Sequence, residues 1–287
     1  MYASIKYDGF RGTLLNGLFM SPEMKPTPNK QLWRHFETLI EIAVEYDVVF
    51  DGELWSPILA FSDLSSRLRS HQGSLAECEY HIFDVIDTAE WNNEVKTTKY
   101  IDRYVRLNSF ESKLPINCKI VKQHTCLNAS RAAELYAKFL AAGCEGVILR
   151  SPNGLYKNNR CTHLESNCLK FKHFQTTDAI ITSVIQRRKM KNVERTYNPL
   201  GLLEKIHTAE SYDLDDAVGA FEVRLPDGKL TSVNLGRGFS YNDRQKLWLE
   251  RETLVGKAVE FKWMPHGTKD LPRIGSVVRF RPDKDLA

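Results

Sequence analysis

The chain holds no cysteine pair spaced C-x-x-C, no internal repeat, no low-complexity tract and no run of about 18 uncharged apolar residues. Its six cysteines, Cys78, Cys118, Cys126, Cys144, Cys161 and Cys168, are scattered, which in a chain of 287 residues fits reduced thiols better than a disulfide framework. Cys161, His163, Cys168 and His173 cluster locally, but their spacing matches no usual structural zinc pattern. The lack of an apolar run argues against a membrane span. A charge at Lys6 interrupts the start before any apolar signal core could form, and the expectation is a cytosolic protein. Net charge is also modest, at +4, so the chain can bind a polyanion without the composition demanding it. What remains, 42% hydrophobic and 26% charged residues, is ordinary for a core-forming protein of one large or two average domains.

Along the chain, Ala3–Tyr7 and Arg11–Leu18 read as strands flanking the Asp8-Gly9 turn, together suggesting a hairpin in which Gly9 supplies a positive φ. Leu32, Phe36, Leu39, Ile40 and Ala43 recur at helical period and predict one helix over residues 30–46. Val48–Trp55 and Tyr80–Ile86 read as strands, Ala129–Ala142 as a helix stopped by Gly143, and Val147–Arg150 and Cys168–Phe174 as further strands. Beyond Asp178 the texture becomes short β runs (residues 179–184, 220–225, 230–235 and 258–263), with Asp227-Gly228 as a hairpin signal and one helix over 243–253. The reading is an α+β chain: a mixed α/β domain over 1–178, then an all-β barrel of the oligonucleotide/oligosaccharide-binding (OB) kind over 179–287.

Five short segments concentrate chemistry. Lys6-Tyr7-Asp8-Gly9-Phe10-Arg11 has the form K-x-D-G-x-R and gathers an amine, a carboxylate and a guanidinium at one turn. Asp51-Gly52-Glu53 follows a strand, Tyr80–Asp84 contains Phe83, and Glu145–Arg150 follows a helix stop. Leu169–Lys172 sets Lys170 and Lys172 on one face of a strand, where like charges repel unless an anion or solvent lies between them. Taken singly, each could be a turn, a core strand or a solvated face.

In order and spacing these segments, closed by Arg279–Lys284, resemble the motifs of the covalent nucleotidyltransferases: ATP-dependent DNA ligases, RNA ligases and messenger-RNA capping enzymes. The texture of Glu145–Pro152 with Tyr156 and Arg160, of Asp178-Ala179, and of Leu271–Arg273 is most similar to compact two-domain DNA ligases of viruses, phages and some bacteria. The resemblance implies a nucleotidyltransferase domain followed by an OB domain, and ATP-dependent sealing of nicks in duplex DNA. An RNA ligase or capping guanylyltransferase is the alternative.

By the same resemblance Lys6 is the nucleophile, activated by Lys170, Lys172 and a metal. Lys170 and Lys172 contact the α-phosphate, and Glu145 holds magnesium, with manganese as substitute. Glu53 and Arg11 take the ribose hydroxyls and Phe83 stacks on adenine. Asp8 and Asp51 orient Lys6 or a metal-bound water, Asp51 thereby joining Glu145 at the metal. Arg281, Asp283 and Lys284 reach the β- and γ-phosphates as the OB domain closes about a hinge at residues 175–180. Arg187, Arg188, Lys189, Lys191 and Arg195 form a basic stretch suited to DNA phosphates. The implied partner is nicked duplex DNA, clamped by a monomer with no membrane involved, in a bacterial cytosol or an infected cell. Two positions depart from the family pattern. Ser4 stands where a residue helps to read adenine, and Ser21-Pro22 replaces a Ser/Thr-Arg pair, with Lys25 as a substitute cation.

Overall fold

The computed structural model describes residues 1–158, 161–162, 164–191, 195–197, 203–205, 208–265 and 271–282. Contacts divide the chain into two compact units, with the break in sequence between Lys172 and His173. That is six residues before the expected boundary, because Asp178 lies inside a strand of the second unit.

The first unit contains two sheets. Its elements run β1 (Tyr2–Lys6), β2 (Phe10–Leu15), β3 (Leu18–Met20), α1 (Lys30–His35), α2 (Glu37–Glu45), β4 (Val48–Trp55), α3 (Phe61–Arg69) and β5 (Glu79–Asp87). There follow α4 (Thr88–Asn92), α5 (Tyr100–Asn108), β6 (Cys118–Ile120), β7 (His124–Thr125), α6 (Ala129–Ala141), β8 (Gly146–Arg150) and β9 (Cys168–Lys172). One sheet has the order β3-β2-β4-β5-β6 and the other β7-β1-β8-β9.

The expected hairpin of the first two strands does not form. β1 pairs with β7 and β8, whereas β2 pairs with β3 and β4, so the Tyr7–Gly9 link passes from one sheet to the other. The true hairpin is β2–β3, closed by Asn16 (φ 49°) and Gly17 (φ 76°), the Asn-Gly pair that a two-residue turn favours. Gly9 does not take a positive φ; what demands glycine there is proximity. A Cβ on Gly9 would lie 2.5 Å from the Leu54 carbonyl oxygen and 2.7 Å from Glu53 Cγ.

The helix expected over 30–46 is two helices, broken at Phe36 (φ −116°, ψ 25°). The Phe36 ring is fully buried and packs edge-on against Tyr80 and tilted against Phe19. With Leu14, Leu39, Phe50 and Leu54 these rings form the core beneath the five-stranded sheet. Burying each such side chain contributes roughly 1.5–3 kcal/mol. A second core seats α6 on the other sheet through Leu135 and Phe139 against Ala3, Val147 and Leu149. α6 ends as expected, with Gly143 at φ 77°.

The second unit is a closed five-stranded barrel of β10 (Gln175–Met190), β13 (Tyr212–Arg224), β14 (Leu230–Leu235), β15 (Ala258–Met264) and β16 (Arg273–Phe280), in the order β10-β13-β14-β16-β15. Between β10 and β13 lies a small antiparallel pair, β11 (Arg195–Tyr197) and β12 (Leu203–Lys205). The helices α7 (Tyr241–Leu249) and α8 (Arg251–Leu254) precede β15. Phe221, Phe261, Val223, Val233, Val259 and Val277 fill the barrel. The OB expectation holds, and residues 175–180, near which a hinge was expected, are the start of β10, paired one by one with Trp263 back to Ala258. The residues between β9 and β10 are His173 and Phe174. No helix among the described residues is long and apolar enough to cross a membrane.

Because Gly9 is pressed against β4, Gly9→Ala is expected to cost about 1–3 kcal/mol in a urea titration. A variant as stable as the wild type would show that the turn can back away from β4.

A nucleotide-sized cavity and its charged floor

A cavity of about 680 Å³ opens in the first unit, within the size range of sites for drug-sized ligands. Lys6, Arg11, Asp51, Glu53, Phe83, Lys170 and Lys172 line it. Strand register explains the convergence. Lys6 pairs with Gly146 and Gly146 with Lys172, so a residue without a side chain separates the two lysines in one row. Glu145, beside that glycine and only 2% exposed, accepts from both: Lys6 Nζ donates to Oε2, and Lys172 Nζ lies 2.9 Å from Oε1. Burial alone would raise the Glu145 carboxyl, but Lys6 and Lys172 outweigh it and hold it below the usual carboxylate range. Lys170 is two residues along β9, its amine lowered by desolvation, with the nearby charges of Lys6 and Arg11 adding to the effect.

The other wall comes from the five-stranded sheet. Arg11 pairs in register with Glu53, and Asp51 with Asp84. Two buried carboxylates thus lie opposite each other, Asp51 2% and Asp84 1% exposed, and each is met by arginine. Arg11 donates from Nε to Asp51 Oδ1 (2.9 Å) and from Nη2 to Oδ2 (2.6 Å). Arg103 donates from Nε to Asp84 Oδ1 (2.8 Å) and from Nη2 to Oδ2 (3.0 Å), and Arg150 Nη1 adds a third contact at 3.2 Å. The Arg150 guanidinium also sits 4.5 Å from the centroid of Phe83, a cation–π contact on the proposed stacking ring.

The expected site residues differ in their surroundings. The Asp51 oxygens accept from Arg11, Tyr156 and Thr13, as those of Glu145 are met by Lys6 and Lys172. Among the described residues no group of three or more His, Cys, Asp and Glu could hold a metal, and this covers the described members of the Cys161–His173 cluster. Asp8 stands on the bend after β1, outside the cavity wall. Arg281 is held in the second unit by Asp178 (2.9 Å) and Glu260 (3.6 Å), while Asp283 and Lys284 lie outside the described residues. Ser4 is buried and lines the cavity, as does Pro22, whereas Lys25 is exposed.

Arg187, Arg188 and Lys189 of the basic stretch lie on β10, Lys191 just beyond its end, and Arg195 on β11. Arg187, Arg188 and Lys189 pair in register with Asp215, Leu214 and Asp213 of β13. Arg187 bonds Asp215, and Lys191 lies 3.2 Å from Asp213, so part of its charge is answered within the ribbon. Arg188, Lys189 and, on β11, Arg195 are exposed.

Reasoning from sequence did not single out Arg103. Its signal was present, since Tyr100, Arg103 and Leu107 share the buried face of α5, and a charge in that phase calls for a partner.

Residues 1–172 match a family model described as the ATP dependent DNA ligase domain. The chain belongs to the ATP-dependent DNA ligase family. Residues 213–281 match a DNA ligase OB-like domain. A DNA ligase of African swine fever virus (strain Badajoz 1971 Vero-adapted) is 22% identical over 151 residues, 52% of this chain and 35% of the viral protein. The chain thus matches about a third of the length of this curated relative. A solved Lig E DNA ligase superposes with a TM-score of 0.67 at 20% identity, covering 98% of this chain and 92% of that one. A Chlorella virus DNA ligase–adenylate superposes with a TM-score of 0.50 at 25% identity over the same shares.

Two measurements test this charged cavity. The Glu53 carboxyl is pushed up to about 7, chiefly by burial, against the opposing pull of Lys6 and Arg11. Between 4.5 and that value the folded protein keeps a proton that the unfolded chain has released, so stability falls as pH rises through this window. Glu53→Gln removes the effect and is expected to exceed the wild type in stability at pH 8 by on the order of 1–3 kcal/mol. Parallel denaturation curves at pH 5 and pH 8 would count against it. Arg103→Met is expected to cost roughly 2–4 kcal/mol in thermal or urea unfolding, Arg150 softening the loss of a buried charge's main partner.

Proposed function

We propose that this protein seals nicks in duplex DNA, using ATP and a lysyl-AMP intermediate on Lys6. The observation that carries the reading is the Lys6 amine at the wall of a nucleotide-sized cavity, held by Glu145 and flanked by Lys170 and Lys172. In the first step the Lys6 ammonium loses one proton to solvent, and its nitrogen lone pair bonds to the α-phosphorus. The bond from that phosphorus to the pyrophosphate oxygen breaks, its electron pair leaving with pyrophosphate, and a second proton leaves the nitrogen to give the phosphoramidate. Lys170 and Lys172 are placed to meet the charge that gathers on the α-phosphate, and fixed cations act most strongly when they need not move. A DNA 5′-phosphate oxygen then takes the AMP from Lys6, and a 3′-hydroxyl oxygen finally attacks that 5′-phosphorus and expels AMP.

Arg11 and Glu53, neighbours in register, are assigned to the ribose, and Phe83 to the adenine. Magnesium commonly takes one or two carboxylates plus phosphate oxygens, and Glu145 fits as that carboxylate. A bound ion would neutralise phosphate charge there; manganese has the same oxygen preference. Arg188, Lys189 and Arg195 are the exposed cations of the second unit proposed to meet DNA phosphates.

Wild-type protein incubated with α-labelled ATP is expected to acquire one AMP and to seal a singly nicked duplex, and Lys6→Ala to do neither. Sealing by Lys6→Ala would end this reading. Labelling by GTP alone would redirect it to capping, and sealing confined to nicked RNA to an RNA ligase.

A further inference from the structure

One side chain in the cavity wall has no part in the chemistry above and yet closes a hydrogen-bonded group around Arg11 and Asp51. Tyr156 reaches the cavity from a loop 105 residues beyond Asp51 in sequence. Its hydroxyl donates to Asp51 Oδ2 at 2.8 Å and accepts from Arg11 Nη2 at 3.4 Å. Arg11, Asp51 and Tyr156 therefore form a closed ring of contacts in which each touches the other two.

The loop that carries Tyr156 is fixed from behind. Tyr100 and Ile101 donate their backbone N–H groups to the Gly154 and Pro152 carbonyls, both at 2.9 Å, and Leu155 bridges to Lys99. The ring of Tyr156 is buried, 5.4 Å from Trp91 by centroid and with the Arg103 guanidinium 5.4 Å from its centre. The phenol therefore has little freedom to follow Arg11 if that side chain turns.

With Nε and Nη2 of Arg11 committed to Asp51 and Tyr156, Nη1 is the corner of the guanidinium that makes no hydrogen bond among the described residues. Arg11 lines the cavity, so this corner is the one available to a ligand. A guanidinium is a rigid planar fork: fixing two corners fixes the direction of the third.

We propose that Tyr156 is a positioning residue for nucleotide recognition, its hydroxyl locking the Arg11–Asp51 pair so that Arg11 Nη1 is aimed at a ribose hydroxyl and the protein discriminates ATP from its deoxy analogues. This rests on the assignment of Arg11 to the ribose made above.

The test measures enzyme–AMP formation with ATP, 2′-deoxy-ATP and 3′-deoxy-ATP in the wild type, Tyr156→Phe and Arg11→Lys, with the thermal midpoint of each. Tyr156→Phe is expected to raise KM for ATP about tenfold, the scale set by a hydrogen bond to a charged group, with the loss falling on KM rather than kcat. The preference for ATP over one of the two deoxy analogues should shrink by a similar factor, and Arg11→Lys should abolish that preference. If KM rises equally for ATP and both analogues, Tyr156 only shapes the cavity and the proposal fails. Unchanged discrimination in Tyr156→Phe, alongside its loss in Arg11→Lys, sinks the role of Tyr156 and leaves the proposed function standing. A wild type that never acquires AMP sinks the proposed function itself. Should Tyr156→Phe not fold, 4-aminophenylalanine at this position keeps a weaker donor, and a two- to threefold loss of discrimination is expected; undiminished discrimination there overturns the proposal.

Discussion

Asp51 and Asp84 face each other across β4 and β5 with almost no access to water. Like charges opposed in this way repel, and each has lost its hydration, so the sheet can form only if cations reach both carboxylates. Three arginines from distant parts of the chain do so: Arg11 from β2, Arg103 from α5 and Arg150 from β8. The arrangement of the cavity follows from that demand. Arg11 is turned towards Asp51 and bares one corner, Arg150 is drawn against the Phe83 ring, and α5 is tied to the sheet through Arg103. Two carboxylates answered by three guanidiniums leave one positive charge in excess beneath the space where a nucleotide is proposed to bind.

Opposite that floor a different economy governs Lys6. Its contact with Glu145 depends on Gly146, since a side chain in the row between Lys6 and Lys172 would occupy the gap through which the carboxylate reaches both amines. A Cβ there would also lie 2.0 Å from the Phe171 carbonyl oxygen, so the close pairing of β8 with β9 and the placing of Glu145 have the same cause. The general features of an anion site, several cations around one buried carboxylate, are thereby built from strand register alone.

The sequence made legible those parts of the molecule that local pattern determines. The α6 helix with its Gly143 stop, the strands around Glu53, Phe83 and Lys170, and the five-stranded barrel all followed from periodicity and turn residues. Most of the cavity wall was legible too, because K-x-D-G-x-R and the later segments converge as their order implied. What could not be read was pairing at long range. Nothing in Tyr2–Lys6 and Phe10–Leu15 says that they enter different sheets, and the Asn16-Gly17 turn signal competes with that of Asp8-Gly9 for the hairpin. Nor does Arg187–Lys191 by itself show that two of its cations, Arg187 and Lys191, are answered by β13 aspartates more than 20 residues away, while Arg188 and Lys189 stay exposed. The partners of Asp51 are as remote: Arg11 and Tyr156 are 40 and 105 residues distant.

The passage of Tyr7–Gly9 from one sheet to the other has a mechanical meaning. Lys6, the proposed nucleophile, ends a strand of one sheet, and the residues assigned to the sugar stand on the other, with a three-residue strap between them. Gly9 clamps that strap onto β4, so the spacing between amine and sugar site works like the gap of a caliper, set where its jaws are joined. Any small slip of one sheet over the other would alter the reach of the amine without altering a single group in the cavity.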